Sequence, residues 1–165
     1  MKAFCYLIVF ILFQEITHSQ EMPRDGIYRI DQSQKNRLAL QADRTVIEFN
    51  PLFVEEEPDK YDPIIICTDD FVPFELTAMP VIQPQNDVEN LLLVQLTEKA
   101  TEKLGEFTTK NISNQIVVVV NGQALVIYKI VEPVKSGFIK VAPCSAQGCR
   151  LIYKSLKRTV SGLRS

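Results

Sequence analysis

Residues 116–120 read Ile-Val-Val-Val-Val, and Asn121-Gly122 follows directly. β-branched residues favour an extended, pleated backbone, and an unbroken run of them leaves no polar face on the strand. Such a strand needs cover on both sides, so it belongs in the middle of a layered structure. Asn-Gly supplies the two positive φ angles of a type I′ turn. The chain therefore reverses after Val120 and returns as a partner strand over Ala124–Val131. This hairpin commits the chain to a sheet with other elements packed on it.

The flanking sequence supplies those elements. Leu91–Leu96 reads as a strand, and Thr97 as the N-cap of a helix over about 98–111. Ala100, Leu104 and Phe107 share one face of that helix, with Ile112 just past its end. Its other face carries Glu98, Lys99, Glu102, Lys103, Glu106 and Lys110. Residues 132–137 read as a loop and Phe138–Val141 as a last strand. Residues 146–158 place Ala146, Cys149, Ile152 and Leu156 at helical spacing, a second amphipathic helix. The order is β-α-β-β-α, an α+β fold with helices packed on a mostly antiparallel sheet.

Upstream, residues 20–26 read as a flexible lead-in, and Ile27–Ile30, Leu38–Leu40 and Thr45–Phe49 as short strands. They form a small β-rich N-terminal segment. Pro63–Cys67 reads as a strand, Thr68-Asp69-Asp70 as a turn or helix start, and residues 77–90, with Pro80 and Pro84, as a loop.

The first residues read as an address. Lys2 precedes an apolar run from Ala3 to Phe13, and Thr17-His18-Ser19 offers small residues at −3 and −1 of a cut between Ser19 and Gln20. At 1.5 Å per residue the run reaches only about 17 Å, short of a bilayer core. Cys5 stands at the start of the run, whereas a lipidated cysteine stands at its end, so a lipid anchor is not expected. The expected division is a signal peptide over 1–19, the β-rich segment over 20–62, the α+β domain over 63–158 and a tail over 159–165. The exported chain would reside in the periplasm or outside the cell, with no membrane span after the leader.

Composition narrows the chemistry. The one histidine of the 165 residues is His18, which leaves with the leader. The remaining chain cannot build a Ser-His-Asp triad, a Cys-His pair or a histidine-ligated metal site. No enzyme, no cofactor and no metal are expected. Cys67, Cys144 and Cys149 remain in an oxidising compartment, and an odd count allows one bridge and one thiol. Cys144 and Cys149 can pair if Cys144 lies outside the helix, but not if both lie in one helix. Charge is uneven: residues 20–132 hold 19 acids and 10 bases, while residues 133–165 hold 7 bases and no acid. These bases are expected along one helix face against the acidic body, with no nucleic acid as partner.

Some motifs carry less than they suggest. Glu55-Glu56-Glu57-Pro58-Asp59 lacks the alternating ligands and turn glycine of a calcium loop, so it reads as a solvated loop. Asp69-Asp70 has no acid–base partner nearby in sequence. Asn111-Ile112-Ser113 matches a glycosylation triplet but sits where the helix ends. Gln115–Val119 is similar to the Q-x-V-x-G loop of cystatins, secreted protease inhibitors. Val119 replaces the glycine, and the chain has no tryptophan for the second cystatin loop.

The stretch LLLVQLTEKATEKLGEFTTKNISNQIVVVVNGQALVIYKIVEPVKSGFIKV resembles the head subdomain of the first periplasmic domain of the SecD export factor. Thr97, Ala100, Leu104, Phe107, Thr108, Asn111, Asn121-Gly122 and Gly137 fall on that pattern. The likeness spans about 64–158 and is strongest over 91–141. Asp25-Gly26-Ile27-Tyr28-Arg29 is similar to the G-x-Y segment of short exported bacterial proteins carrying such a head alone. The resemblance implies a bacterial, non-enzymatic envelope protein that binds unfolded or extended polypeptide, or an envelope protein, in connection with protein export. It brings no catalytic residues. The alternatives are a structural or assembly envelope protein without a peptide ligand and, behind it, a cystatin-like secreted protease inhibitor.

Overall fold

The computed structural model describes residues 22–32, 42–50, 62–85, 90–144 and 146–161. The strand expected at Leu38–Leu40, the acidic loop at 55–60 and the cleavage position Ser19/Gln20 lie outside them. The elements are β1 (Gly26–Ile30), β2 (Arg44–Ile47), β3 (Ile64–Pro73), β4 (Val81–Pro84), β5 (Asn90–Gln95), α1 (Glu98–Lys110), β6 (Gln115–Val120), β7 (Gln123–Lys129), β8 (Phe138–Cys144) and α2 (Ala146–Ser161). Among the described residues the fold is mixed α+β, with two helices and antiparallel pairing between the strands.

The strands form two sheets, ordered β2-β3-β1-β6-β7 and β4-β5-β8. The larger sheet turns back on itself. Beyond Ile47 the chain crosses to the far edge, where Phe49 bridges Ala124 in parallel. The Ala124 N–H donates to the Glu48 carbonyl and the Asn50 N–H to the Ala124 carbonyl, both at 2.8 Å. This small closed sheet has an inside and an outside. Tyr28, Ile30, Ile47, Ile66, Val117, Val119 and Ala124 fill the inside.

Ile27, Val72, Ile116, Val118 and Val120 point outward into a second core, shared with α1, α2 and the smaller sheet. The valine run of β6 is thus buried on both faces, as its composition requires. β1 lies between β3 and β6, so a strand from the N-terminal segment sits at the centre of the larger sheet.

Two local readings need correction. Thr68-Asp69-Asp70 is neither a turn nor a helix start; it lies within β3. Tyr28 pairs with Phe71 and Arg29 with Cys67, so the three polar residues bulge out between two paired stretches. The turn-forming chemistry is accommodated as a bulge because β1 holds the strand on either side of it. Residues 81–84 are not loop but the edge strand β4, with Pro84 at its end, where a missing N–H is tolerated.

The lead-in is also structured from Met22 onward. The Met22 side chain lies against Gly122, and the Asp25 carboxylate accepts the Asn121 N–H at 2.8 Å.

Local chemistry sets the limits of α1. The Thr97 hydroxyl accepts the Ala100 N–H at 3.2 Å. Glu98 in the first turn and Lys110 in the last suit the helix dipole. Asn111 caps the end. Its amide donates to the Phe107 carbonyl at 2.8 Å while its backbone N–H bonds the Thr108 carbonyl. α1 lies against β3, and α2 against β4, β5, β6 and β8.

Candidate functional site

The β6–β7 hairpin turns at Asn121 and Gly122, with φ of 53° and 71°. Both lie in the left-handed region that an Asn-Gly turn uses. β7 then runs along the open side of the larger sheet. Its start is covered by residues 48–50 through Ala124. Its second half is not so covered. Ile130 bonds back toward β6 through Asn114, and the antiparallel register pairs Tyr128 with Ile116. By the alternation of such a ladder, the N–H and C=O groups of Ile127 and Lys129 point away from β6. Among the described residues no backbone bond reaches them.

β8 presents a second such edge. It pairs with β5 on one side, the Leu96 N–H donating to the Gly137 carbonyl. Phe138 and Lys140 therefore direct their backbone groups away from β5. The Tyr128 hydroxyl donates to the Lys140 carbonyl and so links the two edges.

Between these strands lies a cleft of about 320 Å³. Ile27, Leu104, Ile116 and Val118 form its floor; Tyr128, Ile130, Val134, Phe138 and Ile139 form its walls. Lys129, Glu132 and Lys140 stand among its lining residues. Val131 is 78% exposed and Phe138 47%, so two large apolar side chains stand in solvent beside it.

The loop over the cleft is fastened to α1. The buried Thr108 hydroxyl donates to the Leu104 carbonyl at 2.7 Å and accepts the Val134 N–H at 2.9 Å. Gly137 lets the loop pass close to α1, for a Cβ there would sit 2.6 Å from the Thr101 hydroxyl.

The other sequence candidates are scattered around this framework. Cys144, ending β8, and Cys149, in α2, are disulfide-bonded with Cα atoms 5.5 Å apart. Cys67 is a buried thiol. Burial pushes its pKa up, against the pull of Arg29 and Arg44, which keeps it from being a ready nucleophile.

Asp69 and Asp70 do not make an acid–base pair with a partner. Asp69 is half exposed and lies 3.6 Å from Arg44, whose guanidinium also holds Asp31 at 2.8 Å and Asp43 at 2.6 Å. The hydrogen bond that Arg44 donates to the Asp31 carboxylate raises the Arg44 pKa. The whole cluster is a structural brace on β2.

Asn111 of the glycosylation triplet is only 7% exposed, with its amide engaged in capping. Gln115–Val119 lies wholly in β6 rather than in a loop. Arg150 and Lys154 are exposed on α2. Sequence reading missed the cleft; its one local sign was Val131 and Phe138, apolar residues bounding a polar loop.

The chain as a whole can now be set beside known structures. The fold is like that of SecDF. One match is to a chain from the structure of SecDF, described as a membrane component that enhances protein export. The TM-score is 0.51 at 14% identity over 81% of this chain. At that identity the likeness is one of fold. The chain spans 64% of the SecDF chain, just under two thirds of it. No protein-family model matches the sequence, and no curated protein does. Among the described residues no helix is long and apolar enough to cross a membrane.

Proposed function

We propose that this chain is an exported, non-enzymatic protein of the bacterial envelope. Its domain, related to the SecD periplasmic head, holds extended polypeptide segments in the cleft between β7 and β8. One observation carries the reading: an apolar cleft flanked by two strand edges, with Val131 and Phe138 exposed beside it. An extended segment can pair with an open edge through its backbone and seat alternate side chains in the apolar floor. Backbone pairing is indifferent to sequence, which suits a protein that meets many unfolded chains. The charged Lys129 on the β7 edge guards against permanent pairing between copies. The SecDF-like fold and the N-terminal apolar run support a setting in export and a cut near Gln20.

The test is a substitution at the rim. Phe138→Asp should weaken binding of an unfolded exported polypeptide about tenfold, as loss of an apolar anchor does. Fluorescence anisotropy reads this directly. Unchanged affinity in a folded variant would favour a structural or assembly role instead.

A further inference from the structure

We propose that Tyr128 decides which edge of the cleft receives the extended segment, given that the cleft binds one as proposed above. Its hydroxyl closes the β8 edge at Lys140 and leaves pairing to β7.

The two edges are not alike. Along β8, the alternation that turns Gly137 toward β5 turns the Lys140 N–H and C=O outward, to the side from which a further strand would come. That outward carbonyl already has a donor, the Tyr128 hydroxyl. An added strand would lie about 4.8 Å from β8 and put an N–H on the same carbonyl. The phenol oxygen, with its ring behind it, fills that space. The Ile127 and Lys129 groups of β7 carry no such cap among the described residues.

Tyr128 is held in place for this role. It pairs with Ile116 of β6, and its half-buried ring packs against the core beneath the cleft. Packing thus positions the ring, and the hydroxyl reaches the carbonyl at little further cost in side-chain freedom. The loop between Tyr128 and Lys140 is itself tied to α1, through the Val134 N–H and the Thr108 hydroxyl. The hydroxyl therefore closes the base of a loop that is already fastened. Covering an edge is a general means of keeping it from adding strands. Here the cover is a single side chain on one of the two edges, which makes it a selector.

The experiment is backbone amide exchange of the full chain, unaltered or carrying Tyr128→Phe. The probe is a synthetic peptide of about ten residues that alternates leucine with serine, suited to edge pairing. In the unaltered chain the peptide should slow the Ile127 and Lys129 amides about tenfold and leave the Lys140 amide as it was. Tyr128→Phe keeps the ring and removes the donor, and with it the peptide should slow Lys140 about tenfold as well. A merely structural hydroxyl would change stability without moving protection between edges. Slowing at Lys140 in the unaltered chain would overturn the proposal and leave the cleft reading standing. So would a folded variant whose β7 amides slow while Lys140 does not. No slowing at either edge in the unaltered chain would overturn the cleft reading, and this proposal with it. The unaltered chain needs no substitution, so the test decides even if Tyr128→Phe fails to fold.

Discussion

The Asp25 carboxylate accepts the Asn121 N–H at 2.8 Å, tying the approach to β1 to the turn between β6 and β7. The Asn121 side chain in turn accepts the Ser155 hydroxyl of α2 at 2.7 Å. Burial raises the Asp25 pKa above the usual carboxylate value, and the Asn121 hydrogen bond only partly opposes this. The folded state thus favours the protonated acid. Its contribution to stability is full below the unfolded-state pKa and is lost as pH rises through the folded-state value. Asp25→Asn keeps an acceptor oxygen and removes the titration. Denaturant melts from about pH 3 to 7 should show the original chain losing ground to this variant as pH rises.

Gly122 has a φ of 71°, and a Cβ there would lie 2.5 Å from the Met22 Cγ. Gly122→Val should cost about 1–3 kcal/mol, because a β-branched residue is strained at positive φ. Gly122→Asn should cost less, since asparagine tolerates that region. Thermal melts of the two variants give the comparison.

Thr108 holds the loop over the cleft. Thr108→Val keeps the shape but leaves the Val134 N–H without its acceptor. A loss of about 1 kcal/mol is expected, the low end of the cost of an unsatisfied donor, since the Val134 N–H is only partly buried. Chemical denaturation measures it, and amide exchange at Val134 should quicken.

Tyr28 stacks on Phe71 inside the closed sheet, ring centroids 4.7 Å apart, and its hydroxyl donates to the Arg24 carbonyl at 2.6 Å. Burial pushes its pKa up to about 12. An unfolded tyrosine ionises near 10, so this group's contribution is intact below that pH and is lost as pH rises through about 12. Ultraviolet titration should show a tyrosine step near pH 12. Tyr28→Phe should remove that late step.

The parts of the fold legible in the sequence are those fixed by neighbouring residues. Thr97 and Asn111 bound α1 through contacts within one turn, and Asn121-Gly122 carries its own φ angles. Closure of the larger sheet was not legible, since it rests on Ala124 meeting Glu48 and Asn50 across more than 70 residues. The bulge at 68–70 was misread because local composition favours a turn, and only pairing to β1 overrides it. The candidate site was hidden for a similar reason. Ile27, Leu104, Val118 and Ile139 come from four separate elements, and no spacing along the chain announces that they meet. Nor does sequence alone say which strand edge remains open.

The central claim is that an extended polypeptide adds to the open edge beside the cleft. Residue-resolved amide chemical shifts and hydrogen exchange, with and without an unfolded exported peptide, test it directly. The account predicts that the Ile127 and Lys129 amides shift and exchange more slowly, with Val131 and Phe138 shifting alongside. Perturbations confined to the solvent face of α1, with β7 and β8 silent, would contradict it.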